Sequence, residues 1–242
     1  MYTEPRYLMA GDGGVLVQFG TTISPEINRK VRGMLLVLEE RRIPGIVEVV
    51  PAYSSVLIYY DPLRIDLKDL LQKLRELEQV GLIEEKLPKS RIVEIPTVYG
   101  GEYGPDLDFV AKHNRLTQDE VIAIHTSVDY LVYYVGFSPG LPYLGGMSKK
   151  IAAPRLETPR SRVPAGSVAV ANQTIVYPTE SPGGWRIIGR TPVKLFDPTK
   201  EPPAVLRPGD YVRFVRVKGK EFEEMARRVA RGEGGMVLTE KG

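Results

Sequence analysis

An α+β protein in two parts is predicted by three observations. Over the first 96 residues, strand and helix signals follow one another as β-α-β-β-α-β. Beyond residue 128, short apolar runs recur between Gly/Pro turns, the layout of an all-β barrel or sandwich. Proline use shifts as well, with twelve of the 20 prolines lying from Pro139 onward. These place a first α/β domain at 1–96, a helical connector at 97–127 and a β-barrel domain at 128–242.

In the first domain, Val15–Phe19 is a short strand after the turn Gly11-Asp12-Gly13-Gly14. Asp12 reads as turn support or as a ligand. Ser24 is placed to cap a helix, with Pro25 in its first turn and Glu26 at the positive end of its dipole. Ile27, Val31, Met34, Leu35 and Leu38 then recur at helical spacing until Pro44-Gly45. Ile46–Val50 and Ser55–Tyr60 are strands. Asp66 caps a second helix whose apolar side carries Leu67, Leu70, Leu71, Leu74 and Leu77, and Arg91–Ile95 is the last strand. This order is the split βαβ, or ferredoxin-like, pattern.

The connector holds a short helix over Pro105–His113 and a second one capped by Thr117, with Glu120 three residues on as in a capping box. Both histidines of the chain lie here. Neither His113 nor His125 has a second ligand at metal spacing, so no metal site is expected. His113 reads as a solvated helix residue. His125 reads as a general base or as a hydrogen-bonded structural group.

In the last domain, Asp129–Val135, Ser167–Val170, Thr174–Tyr177, Trp185–Gly189, Lys194–Phe196 and Tyr211–Val217 are strands. Arg207-Pro208-Gly209-Asp210 turns the chain before the last of them. Glu221–Arg231 is a helix, and the tail after Gly232 is expected to fray.

Composition narrows the function classes. The net charge is +3 over 242 residues, with acidic and basic residues interleaved, so nucleic acid is not expected as a partner. No apolar run approaches the roughly 20 residues of a membrane helix, and the start has no signal layout, so a cytoplasmic location is expected. There are no cysteines, which excludes disulfides and thiolate chemistry.

The stretch Gly136–Pro192 is dense in Gly, Pro and Arg and holds the single tryptophan, Trp185. Such loops hold fixed shapes around polar sites. Gly136-Phe137-Ser138-Pro139-Gly140 has the spacing of a hydrolase elbow, but Pro139 has no N–H for an oxyanion hole. GLPYLGGM lacks the Gly-Lys-Ser/Thr ending of a phosphate loop. Gly183-Gly184 can still let backbone amides approach an anion. Arg155, Arg160 and Arg162 recur in an extended run, and alternation aims the last two to one face. They either fork onto a carboxylate or phosphate, or pair with Glu157 and Glu180. Ser167, Asn172, Gln173 and Thr174 add groups that orient a polar ligand.

The segments GFSPGLPYLGGM, PRSRVPAGSVAVANQT, YPTESPGGWRIIGRTP and YGGEYGPDLDFVA, with GDGGVLVQFG and the later YDP, resemble the KipI family, also known as the B-type subunit of 5-oxoprolinase or allophanate hydrolase subunit 1. The resemblance covers nearly the whole chain. It implies a ferredoxin-like N-terminal domain followed by a cyclophilin-like β-barrel. It implies a pocket formed by Phe137, Pro139, Gly140 and Tyr143; by Arg160, Arg162, Pro164, Gly166 and Ser167; and by Gln173, Thr174, Pro182, Gly183, Gly184 and Trp185. His125 matches the family's histidine ahead of the barrel. Where the family has glycine after Gln-Thr, this chain has Ile175, which puts the width of the pocket in question.

The resemblance also implies partners: a KipA-like subunit (the C-type subunit of 5-oxoprolinase) and a lactam-utilisation-type subunit. Together they open 5-oxoproline to glutamate at the expense of ATP held in the assembled complex. Arg160 and Arg162 would hold a carboxylate or phosphate, and His125 or Ser167 would shuttle a proton or polarise a carbonyl. Two other readings are a binding protein that inhibits a histidine kinase and a carboxyltransferase-like module of urea or allophanate metabolism.

Overall fold

The computed structural model describes residues 1–79, 87–233 and 237–240. The chain divides into two compact units, Met1–Lys89 and Ser90–Gly242.

The first unit is a four-stranded antiparallel sheet with two helices. Its elements are β1 (Arg6–Met9), β2 (Gly14–Gln18), α1 (Pro25–Arg41), β3 (Ile46–Pro51), β4 (Ser55–Tyr60) and α2 (Leu67–Gln79), and the sheet order is β1-β2-β4-β3. Alternation along β2 and β4 sends Val15, Val17, Val56 and Ile58 to the core, against Ile27, Val31 and Met34 of α1 and Leu70 and Leu74 of α2. Ser24 stands at the N-cap of α1, yet its side chain makes no capping hydrogen bond. At α2, Asp66 does cap, accepting from Asp69 N–H at 2.8 Å. Asp12 lies in an exposed turn, its carbonyl accepting from the Tyr60 hydroxyl at 3.2 Å.

The β-α-β-β-α-β order expected for 1–96 is not reproduced at its last strand. β4 is inserted between β2 and β3 as a split β-α-β requires, but the place beside β2 belongs to β1. Residues 91–95 pair instead in the second unit. Segment 80–86 lies outside the described residues.

The second unit is built on β5 (Arg91–Tyr99). Two short helices follow, α3 (Leu107–His113) and α4 (Gln118–Thr126), then β6 (Tyr130–Val135), β7 (Pro142–Gly145), β8 (Arg160–Val163), β9 (Ser167–Val170), β10 (Thr174–Val176), β11 (Ser181–Gly183), β12 (Arg186–Arg190), β13 (Tyr211–Arg216), α5 (Gly219–Ala230) and β14 (Val237–Glu240). The main sheet runs β10-β9-β12-β5-β13-β6-β7. Its end strands β10 and β7 lie against each other, so the sheet is nearly closed into a barrel. β5 is long enough for two strands to share one edge: β12 pairs with Val98 and Tyr99, and β14 pairs with Arg91–Glu94. The other edge pairs in parallel with β13. Arg91 grips the buried Asp210 just before β13 through both carboxylate oxygens. The boundary therefore falls before β5, and the two-helix segment is part of the second unit.

Inside the barrel, Val93, Ile95, Tyr130, Val132, Val168, Val170, Val212 and Phe214 form one core with Leu107, Val110 and Val121 of the helices. The capping box of α4 is present, with Thr117 Oγ1 accepting from Glu120 N–H and Glu120 accepting from Thr117 N–H. Lys194–Phe196 forms no ladder; Phe196 makes a single bridge to Ala204. Tail residues 237–240, expected to fray, pair with β5. No described helix is long and apolar enough to cross a membrane.

Candidate functional site

Alternation on β9 turns Val168 and Val170 into the barrel and Ala169 outward. The outward side is covered by β8 and β11, which pair with each other in a separate two-stranded ribbon. Between ribbon and barrel lies a small apolar layer of Val163, Ala169, Ile175, Tyr177 and Ile187, edged by Trp185. Ile175 is thus a packing residue of this layer, 5% exposed.

Arg160 opens β8 opposite Gly183 of β11. A Cβ at position 183 would strike the Tyr177 hydroxyl, so glycine is what lets the ribbon close on that ring. Burial raises the Tyr177 pKa, opposed by a backbone hydrogen bond from Trp185 and by Arg155 and Arg160. The Arg160 Nη2 donates to Asp106 Oδ1 at 2.9 Å, and Asp106 Oδ2 accepts from Ile187 N–H at 2.7 Å. Arg186 Nη1 lies 4.0 Å from the same carboxylate. The Arg186 guanidinium covers the Phe109 ring at 3.6 Å, and its Nε donates to Pro154 O. Two guanidinium groups thus share one carboxylate, leaving a positive surplus in a largely enclosed cluster. Arg160 Nη1 is buried and has no hydrogen-bond partner. Arg162 pairs with Glu180 at 2.7 Å on the exposed side of the ribbon, as one reading of the arginine run expected. Arg155 lies over Trp185 at 5.1 Å, and Gly184 O accepts from Leu156 N–H.

His125 is completely buried. Its Nδ1 is 2.8 Å from the Tyr99 hydroxyl and its Nε2 is 2.9 Å from Thr174 Oγ1. Thr174 donates its own proton to Ala169 O. The hydroxyl must therefore accept from Nε2–H, which leaves Nδ1 to accept from Tyr99. One directed chain runs Tyr99, His125, Thr174, Ala169, tying α4 to β5 and β10. Burial lowers the His125 pKa to about 3, so the imidazole is neutral. Both ring nitrogens are engaged and the ring has no exposed surface, the geometry of a hydrogen-bonded structural group.

Ser167 is likewise enclosed, at 2% exposure, and its carbonyl accepts from Tyr177 N–H. Gly166, at φ +78°, has no room for a Cβ against Thr191 O, and Pro164 precedes it in the turn from β8 to β9. Gln173 Oε1 accepts from Met147 N–H across the closing edge of the barrel. The structure thus gathers Arg160, Gly183, Gly184 and Trp185 at the ribbon, with Pro182 exposed on it. Phe137 and Pro139 belong to a different feature, the turn from β6 to β7. Phe137 is 95% exposed at φ +63°. Gly140, at φ +77°, is pressed on Phe196, and Tyr143 stacks on Tyr134 with ring centroids 4.1 Å apart.

Sequence reasoning missed Asp106, Arg186 and Tyr177. Asp106 carries the signal of a helix start, and nothing local shows that its carboxylate faces β8 and β12. A cavity of roughly 260 Å³ lies elsewhere in this unit, bordered by Lys194, Asp197, Pro202 and Val229, and none of the expected residues lines it. Hydrogen bonds from Thr199 and Lys194 hold the Asp197 pKa at about 2 there.

The family described as carboxyltransferase domain, subdomain C and D, matches residues 5–206. The chain is 46% identical to the B-type subunit of 5-oxoprolinase from Bacillus subtilis (strain 168) over 223 residues, 88% of this chain and 92% of that protein. The solved structure of the protein TTHA0988 superposes with a TM-score of 0.75 at 40% identity, over 85% of this chain. This chain spans 40% of the length of that relative. Kluyveromyces lactis urea carboxylase superposes with a TM-score of 0.80 over 98% of this chain and 24% of its own, and at 23% identity the likeness is one of fold alone.

Proposed function

Because the chain belongs to the carboxyltransferase-domain family that includes the B-type subunit of 5-oxoprolinase, we propose that it is a non-autonomous subunit of an ATP-dependent 5-oxoprolinase. It would work with a KipA-like subunit and a lactam-utilisation-type subunit, opening 5-oxoproline to glutamate. On the same resemblance the barrel is cyclophilin-like and the first unit a variant of the ferredoxin-like arrangement.

The observation that carries the reading is the Arg160–Asp106–Arg186 cluster beside Gly183 and Trp185 in a chain 46% identical to such a subunit. 5-Oxoproline bears one carboxylate and a neutral lactam. A guanidinium with a spare donor and surplus positive charge nearby is suited to that carboxylate. Arg160 is the anchor in this reading. Arg162, whose charge is matched by Glu180, stays at the rim. The apolar ring of the lactam would lie against Trp185.

The chain carries no phosphate loop of the Gly-Lys-Ser/Thr kind. The glycine loop after β6 is packed on Phe196, and no Gly-Lys-Ser/Thr ending follows it. ATP is therefore assigned to the assembled complex, where it supplies the free energy that opens a stable amide, and no step is routed through it here.

The test is 5-oxoproline-dependent ATP hydrolysis, with this chain alone and with both partners. Activity is expected in the full mixture alone. Arg160→Ala should then raise KM for 5-oxoproline by about 10- to 100-fold, the worth of a charge-assisted hydrogen bond of roughly 1.5–3 kcal/mol. Unchanged turnover would remove the anion role. The fold shared with urea carboxylase favours a second reading, a carboxyltransferase-like module. Stimulation of the mixture by urea in place of 5-oxoproline would select it.

A further inference from the structure

Asp106 is 6% exposed and sits where three elements meet. It precedes α3, its own N–H donates to Ile187 O in β12 at 2.9 Å, and its carboxylate accepts from Ile187 N–H and from Arg160 in β8. Burying a carboxylate is costly unless its oxygens are hydrogen-bonded and its charge is matched. Here both oxygens are engaged, and the match is exceeded because Arg186 also faces the group.

The arrangement fixes Arg160 from one end only. One arm is held, while Nη1 is buried without an acceptor. An enclosed charged donor left unpaired is destabilising, so an oxygen brought to it by a ligand is favoured over one that stays in water. The ribbon that carries Arg160 has two strands and pairs with no third among the described residues; an oxygen reaching the enclosed Nη1 requires that ribbon to move.

We propose that Asp106 is the positioning residue of the ligand site: it holds the Arg160 guanidinium by Nη2 so that Nη1 is directed at a carboxylate oxygen of a small acid. The proposal rests on the 5-oxoprolinase reading for the identity of that acid. Asp106 does not touch the ligand; it acts through Arg160.

The experiment is a double-mutant cycle in the assembled complex, reading KM and kcat for 5-oxoproline. Asp106→Asn keeps an acceptor for Ile187 N–H but turns an amide donor toward Arg160. It is expected to raise KM about tenfold with kcat within about threefold. In an Arg160→Ala background the same change should alter KM less than about twofold, because the residue it acts through is gone. If Asp106→Asn does not fold, Asp106→Glu, which keeps the charge and moves it by one methylene, reads the same coupling. A fall in melting temperature with KM unchanged would show a structural role and overturn the proposal. Arg160→Ala raising KM while Asp106→Asn does not would overturn it and leave the 5-oxoprolinase reading standing. Arg160→Ala without effect on KM, or a complex that does not turn over 5-oxoproline, would remove both.

Discussion

A histidine with both nitrogens engaged in a dry core can take a proton only by breaking one of those bonds. His125 titrates near 3 in the native chain because burial disfavours the imidazolium, against about 6.5 when unfolded. Below pH 6.5 the unfolded state therefore binds the proton that the native state refuses. The contribution of this group is fully present above about 6.5 and declines as pH falls toward 3, by about 1.4 kcal/mol per pH unit. Between pH 7 and pH 5 this amounts to about 2 kcal/mol. Urea unfolding at the two values measures it: wild type should lose that much more than His125→Gln, which cannot titrate. Equal losses in both proteins would mean that the ring is not held neutral. The neighbourhood is half legible in the sequence, which shows a histidine beside the barrel and offers two roles. Choosing between them needs Tyr99 and Thr174, which lie 26 and 49 residues away.

At the level of elements, helices are read more faithfully than strands. Asp66, Thr117 and Glu120 act within one turn of themselves, so their capping chemistry is visible in the sequence and present in the fold. β1, β7, β8 and β11 have three or four residues each, too few for alternation to stand out from turn residues. Lys194–Phe196 has strand-like residues but meets the segment around Ala204 through a single bridge, too little for a ladder. Short strands depend on their turns for register, and the turn from β8 to β9 is a sharp instance. Gly166 holds φ +78° with the Thr191 carbonyl where a Cβ would stand. Gly166→Ala adds the cost of the left-handed conformation to a clash with main chain, together about 2–5 kcal/mol. Chemical denaturation should show that loss, and a loss below about 1 kcal/mol would mean that the turn relaxes freely. Because Arg160 lies on the same β8, the variant is also expected to weaken whatever the ribbon binds.

Across the molecule, the decisive strand is β5. Two cores share no residue, one under the four-stranded sheet and one inside the barrel. β5 contributes Val93 and Ile95 to the barrel and pairs with β12, β13 and β14. A fragment beginning at Ser90 should fold with a cooperative thermal transition. One beginning at residue 97, where the expected β-α-β-β-α-β domain would end, loses most of these pairings and leaves the buried Asp210 without Arg91. It should show no cooperative transition by circular dichroism. A cooperatively folded 97–242 fragment would place the boundary at residue 97 instead.

Read alone, the residues settle what is local or carried in long motifs: helix starts and stops, a β-rich second part, the exclusion of thiol chemistry, and a family pattern specific enough to point to an oxoprolinase subunit. Folding had to supply the rest. It assigns each strand to its sheet, ties His125 to Tyr99 and Thr174, leaves Phe137 exposed on a turn apart from the arginine ribbon, and brings Asp106 to Arg160. The reason is physical. Capping and turn formation are settled within a few residues, whereas strand pairing, burial and ion pairing join residues tens of positions apart, and their free energies exist only once the chain has brought those residues together.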